Sequence, residues 1–251
     1  MSVLAIALLS IGVADLMRLR AGRDPQRGAI ITVLAGWATL VLLAVLTDLT
    51  SGTDLLLLML SAAVLGGWVT TSSDLVDRGA ALPLAVLAGG GVVLLVGSGA
   101  ASTAEGDFAR WLDWAGFTLA GADPSPDHVL LVAGLLVVQV ATANHVVRLV
   151  LTQIGAWGPP GSAQASDRLR GGRILGPMER LIILGLGLAG EVTAASLVIA
   201  AKGLIRWPEL RQSDLDRSDA VGVDEVTEYF LVGSMVSWSL ALAALAVAQL
   251  A

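Results

Sequence analysis

Seven apolar runs divide the chain, at residues 2–16, 28–47, 55–73, 80–98, 128–152, 181–201 and 228–250. A helix needs about 20 residues to cross the hydrocarbon core of a bilayer, and most of these runs approach that length. Polar residues and turn formers gather between them. The pattern predicts an all-α fold, a single polytopic transmembrane bundle of about seven segments over residues 1–251. The first run is short and ends at Asp15. No basic residue precedes its apolar core and the charges follow it, so it reads as a first span with its N-terminus outside rather than as a signal peptide.

Composition strengthens this reading. Hydrophobic residues make up 55% of the chain and charged residues 14%, against about 25% charged in soluble domains. So much apolar surface exceeds what one water-soluble core can hide. The runs are rich in Leu, Val, Ala and Gly, a mix common in packed transmembrane helices. With no cysteine, thiol catalysis, disulfides and thiolate metal sites are excluded. With only His128 and His145, a His-rich metal site is excluded too. No cofactor and no nucleic-acid partner is expected; the bilayer is the expected environment.

The formal charge of −6 says less than its distribution. Arg18, Arg20, Arg23 and Arg27 follow run 1, Arg78 follows run 3, and Arg168, Arg170, Arg173 and Arg180 follow run 5. These alternate loops hold nine of the fifteen basic residues, and the loops 48–54 and 99–127 hold only Arg110. By the positive-inside rule the Arg-rich loops are cytoplasmic. The alternation breaks at the charged loop 202–227, which carries Lys202, Arg206, Arg211 and Arg217. Either segment 6 spans and this loop is an exception, or segment 6 is re-entrant and turns at Gly185-Leu186-Gly187-Leu188-Ala189-Gly190. Re-entrant backbone requires surrounding protein or a water-filled cavity. In loop 99–127, Phe108, Trp111, Leu112 and Ala115 recur at helical spacing, which suits either a short interfacial helix on the outer face or a surface loop. Residues 153–178, with Pro159-Pro160-Gly161-Ser162, read as a flexible cytoplasmic linker.

Candidate chemistry centres on Glu191, an acid in the middle of an apolar run. Ionisable groups inside a bilayer are costly and usually functional. Arg180, Glu191 and Lys202 are eleven residues apart, so on one continuous helix they form a polar stripe. The two bases read best as snorkelling to the interfaces. Asn144 and Arg148 share a helix face in segment 5, next to His145, and offer Glu191 a polar neighbour. These groups either bridge helices or handle protons. Asp15 and Asp74 read as solvated end caps. Trp37, Trp68 and Trp238 read as packing residues. Gly66-Gly67 and the glycines at 185, 187 and 190 read as close-approach positions. Motifs of metalloproteases, phosphate-binding loops and serine hydrolases are absent, so an enzyme is not favoured.

The order Asn144-x-x-x-Arg148, Glu179-Arg180, Ala200-Ala201-Lys202 with Arg206, Glu228-Tyr229 and Gly233-x-x-x-Ser237 resembles a bacterial polytopic membrane family, domain of unknown function 3307. The resemblance covers about residues 144–240. In the first half only Asp15 stands where members often carry a His and Asp pair. It implies a bacterial inner-membrane protein and singles out Glu179, Arg180, Lys202, Arg206, Glu228 and Tyr229, without implying an activity. The expected function is a channel or transporter-like protein with a polar path through Glu191, Asn144, His145, Arg148 and Lys202. The alternative is a membrane-embedded interaction subunit, as a homo-oligomer or with other membrane proteins.

Overall fold

The first helix, α1 (Ser2–Arg18), is apolar on nearly every face. A helix of that kind stabilises itself by burial on all sides. In the computed structural model it does so: Val3, Leu4, Ala5, Ile6, Ile11 and Ala14 are buried. The structure describes residues 1–18, 25–73, 79–116, 118, 123–155, 172–213 and 223–250. Among these every regular element is helical. The chain divides into two compact units, residues 1–142 with 248–251, and residues 143–247.

In the first unit α1 packs on α2 (Pro25–Leu46), α3 (Gly52–Ser73), α4 (Ala81–Gly97) and α6 (Pro126–Val140). The α1–α6 approach is close because of two glycines. A Cβ at Gly12 would lie 2.6 Å from Val137 Cγ1, and one at Gly134 would lie 3.0 Å from the Ala5 carbonyl oxygen. The loops at the Met1 end are tied by carboxylates. Asp54 accepts from the Ser51 hydroxyl (2.6 Å) and from the Ser102 amide (2.9 Å), and Asp127 accepts from the Ala104 amide (2.8 Å). Ser125 caps α6 by accepting from the His128 amide, with Pro126 in the first turn. Between these loops the predicted interfacial segment is a helix, α5 (Gly106–Ala115), ended by the left-handed Gly116.

The second unit holds α7 (Thr142–Gln153, from residue 143), α8 (Gly172–Leu188), α9 (Val192–Ser213) and α10 (Val223–Ala248, to residue 247). Its core gathers Ile183, Ala195 and Ala241, with Leu186, Val198, Ile199 and Trp238 packed around them. Gly187 lets α8 meet α10: a Cβ there would lie 2.5 Å from Leu245 Cδ2.

The expected transmembrane bundle is matched by several helices of membrane-crossing length. Among the described residues four helices are long and apolar enough to cross a membrane: Arg27–Leu46, Gly52–Ser73, Ala81–Ala100 and Phe230–Ala248. There are five if α6 and α7, interrupted at Ala141, form one span. The α1 helix has 17 residues and its apolar surface is covered by protein. Segment 6 is not one helix but two. One expected loop is helical over its described residues. Residues 202–213 extend α9 and 223–227 open α10, as Ala, Leu, Lys, Glu, Arg and Gln favour. The linker expected at 153–178 gives way to α8 from Gly172. Asp74, Arg78, Arg168 and Arg170 lie outside the described residues.

Candidate functional site

The helix carrying the expected polar stripe stops before it reaches the central acid. At the end of α8 the Glu191 amide donates to the Leu186 carbonyl (2.8 Å) and the Gly190 amide donates to Gly187 (3.1 Å), with Gly190 at φ +82°. This is a Schellman-type stop, which requires a left-handed residue that glycine supplies without steric cost. Helix α9 then starts at Val192, and its Ala195 amide donates to the Glu191 carbonyl. The two helices pack on one another. Arg180, Glu191 and Lys202 therefore do not share one helix line. Glu191 sits exposed on the connecting turn.

The turn also changes the length argument. From Leu181 to Leu188, α8 has eight apolar residues, about 12 Å of rise. The apolar part of α9, Val192–Ala201, adds ten residues, about 15 Å. Each is about half of a hydrocarbon core about 30 Å thick.

Arg180 is the centre of the polar arrangement in this unit. The sequence suggests snorkelling; instead the residue is 1% exposed. Its Nη1 donates to Ser237 Oγ of α10 at 2.9 Å, and its Nη2 donates to Asn144 Oδ1 of α7 at 2.5 Å. Glu179, also buried, precedes it on α8. A guanidinium removed from water needs its donors satisfied, since desolvating a charge costs several kcal/mol. One fork thus joins α7, α8 and α10. The partner expected for Asn144 is Glu191; the partner found is Arg180. His145 and Arg148 are half-buried on α7 beside Asn144. Lys202 and Arg206 lie on α9, and Glu228 and Tyr229 on α10; their side chains fall outside the described residues.

A second buried polar cluster lies in the first unit, and it revises the reading of Asp15. Asp15 is 4% exposed, not a solvated cap, and Trp68 is fully buried. The Trp68 indole N–H donates to Asp15 Oδ2 at 3.0 Å and to Oδ1 at 3.3 Å. Arg18, one turn along α1, has Nη1 3.8 Å from Asp15 Oδ1. Its guanidinium also donates to Ser72 Oγ (2.9 Å) and to the Val69 carbonyl (3.2 Å). The buried Thr142 hydroxyl approaches the same carboxylate without reaching hydrogen-bond geometry. This cluster locks the end of α1 to α3. The sequence holds its signal: Asp15 and Arg18 are three apart, Trp68 and Ser72 four apart, and each pair shares a helix face.

Among the described residues no group of three or more His, Asp or Glu side chains is placed to hold a metal ion. No protein-family model, no curated protein and no solved structure matches this chain.

Proposed function

We propose that this chain is an integral protein of a bacterial cytoplasmic membrane, channel or transporter-like, in which the α8–α9 pair enters the bilayer and returns, with Glu191 at its tip beside a polar path. The observation that carries this reading is the break at Ala189-Gly190-Glu191, which leaves an exposed carboxylate between two short apolar stretches, residues 181–188 of α8 and Val192–Ala201 of α9. Half-helices meeting near the bilayer midplane are a recurrent way to present polar groups to a solute. The buried fork of Arg180, Asn144 and Ser237 would be the rigid footing of that pair, and His145, Arg148 and Lys202 would be further groups along the path. A re-entrant pair also places loop 202–227 on the cytoplasmic side with the other Arg-rich loops, which restores the positive-inside pattern. With α1 as a further crossing, covered by protein, the N-terminus would lie outside. The family resemblance over residues 144–240 belongs to the same proposal. The test is flux of monovalent cations and protons through purified protein in vesicles. Glu191→Gln is expected to change conductance or selectivity severalfold while expression and oligomeric state stay as in the parent; unchanged flux of every ion sinks the path.

A second reading, a membrane-embedded interaction subunit, is favoured by one feature: among the described residues no hydrogen bond or ion pair engages the exposed Glu191 side chain. There the carboxylate would meet a basic group of another membrane chain. Loss of a stoichiometric partner on Glu191→Ala, in protein purified from its native membrane, would support it over the path.

A further inference from the structure

Helix α5 carries two tryptophans that the bundle leaves uncovered. Trp111 is 55% and Trp114 83% exposed, while Leu112 between them is buried. Backbone contacts and the inner side chains place α5. Gly106, at φ +70°, starts the helix hard against the end of α2: a Cβ there would lie 2.9 Å from the Leu46 carbonyl oxygen. The Glu105 amide donates to the Thr47 carbonyl at 3.0 Å. Leu112 and Phe108 hold the inner face, and Phe108 stacks in a tilted pair with Trp111 at 5.9 Å.

The outward arc of α5 has a distinctive mixture. At 100° per residue, Arg110, Trp114, Asp107 and Trp111 fall in that order within an arc of about 100°. Arg110 and Asp107 form an ion pair on this surface. The arc adjoins the end of α2, whose Ile30, Leu34, Val41 and Val45 form an exposed apolar face. Only 17% of that helix's most apolar window is buried inside the protein. If lipid covers α2, the chain reaches α5 where that apolar face ends. Charged groups are unsuited to hydrocarbon and large indoles to bulk water. An amphipathic ring with an N–H donor, flanked by an ion pair, suits the headgroup layer between them.

We propose that α5 is a lipid-surface anchor, lying in the headgroup layer of the leaflet at the Met1 end, with Trp111 and Trp114 as its contact residues. This inference rests on the membrane location in the proposed function but not on the polar path. The absence of cysteine makes the test direct. Single-cysteine variants Leu34→Cys and Trp114→Cys are spin-labelled in vesicles of phosphatidylethanolamine and phosphatidylglycerol, and collision rates with oxygen and with a water-soluble nickel chelate are compared. The Trp114→Cys label is expected to give a nickel-to-oxygen ratio severalfold above Leu34→Cys and severalfold below free nitroxide in buffer. A ratio equal to free nitroxide makes α5 a water-exposed loop element and overturns the proposal. A label shielded from both colliders places a protein partner there and overturns it as well. A Leu34→Cys label without oxygen exposure removes the membrane location itself, which separates that failure from the other two.

Discussion

At the scale of single residues, the two buried ionic clusters are where this chain is most vulnerable to substitution. Asn144 and Ser237 each satisfy one arm of the Arg180 fork. Asn144→Ala leaves a buried guanidinium donor unmet, which costs about 1–3 kcal/mol, more when the group is charged. Arg180→Met removes the charge together with its demand for partners. Replacing a buried charge by an apolar residue of similar volume is often near neutral, whereas removing one partner is not. The expected order of stability, read by denaturant or thermal unfolding in detergent, is therefore parent, then Arg180→Met, then Asn144→Ala. The reverse order of the two variants would mean that Asn144 is dispensable to the fork. Glu179 is buried beside Arg180 and can make the Met variant worse by losing its neighbouring cation, so Glu179→Gln in the Arg180→Met background is expected to restore part of any deficit. In the first unit, Trp68→Phe keeps most of the ring volume and removes the only N–H that the side chain offers to Asp15. A loss of about 1–3 kcal/mol is expected from the unmet carboxylate. If Trp68→Phe unfolds at the same denaturant concentration as the parent, the ring acts through packing alone.

At the scale of elements, glycine determines where helices stop and how closely they approach, and it does so by two different mechanisms that mutation separates. Gly190 is left-handed and a Cβ there would have nothing within 4 Å, so Gly190→Ala meets no neighbour. Its cost is conformational, about 1 kcal/mol for an L-residue held at positive φ. Gly134 has ordinary helical geometry, but a Cβ there would press on the Ala5 backbone oxygen at 3.0 Å and on Leu8 Cβ at 3.1 Å. Gly134→Ala must push α1 from α6, and overpacking of that kind costs about 1–3 kcal/mol. The second variant is expected to be the more destabilised in equilibrium unfolding, and Gly190→Asn, a residue that tolerates the left-handed region, is expected to recover part of the first loss. These glycines also show what is legible in the sequence. The run Gly185-Leu186-Gly187-Leu188-Ala189-Gly190 marks a candidate turn, because glycine is a poor helix former and a good helix stop. Which glycine ends the helix is not legible, since that depends on the carbonyls of Leu186 and Gly187 finding donors. The all-α class follows from apolar run length. The Arg180 fork does not, because Arg180 is 36 residues from Asn144 and 57 from Ser237, on three different helices, and no local spacing links them. Asp15 misleads for a related reason: its place at a run end suggests solvent, while Trp68 of a different helix covers it.

At the scale of the whole molecule, the proposed re-entrant α8–α9 pair would bring span counting and charge distribution into agreement. Among the described residues four helices, or five with α6 and α7 joined, are long and apolar enough to cross. Apart from α1, a 17-residue apolar helix, the other apolar stretch is that of α8 and α9, divided into pieces of about 12 and 15 Å, each too short for a core of about 30 Å. If the pair enters and returns, the chain before α8 and the chain after α9 lie on one side. If the two pieces together cross, those two positions lie on opposite sides. Cysteines introduced at Ile154, exposed just past the end of α7, and at Ser213, the last residue of α9, report this difference in a chain that has no cysteine of its own. In intact cells and in inverted membrane vesicles, both are expected to react with a membrane-impermeant maleimide only from the cytoplasmic face. A third cysteine at Thr103, in the exposed stretch between α4 and α5, is expected to react only from the opposite face and serves as the control for sidedness. Labelling of Ser213→Cys from the outside with Ile154→Cys labelled from the inside would make segment 6 a crossing, remove the re-entrant pair, and leave the basic residues of 202–227 as a true exception to the positive-inside rule. Labelling of both from the cytoplasm would put Glu191 at the tip of a half-depth hairpin, where a charged carboxylate must meet water, a solute or another chain because hydrocarbon solvates it so poorly.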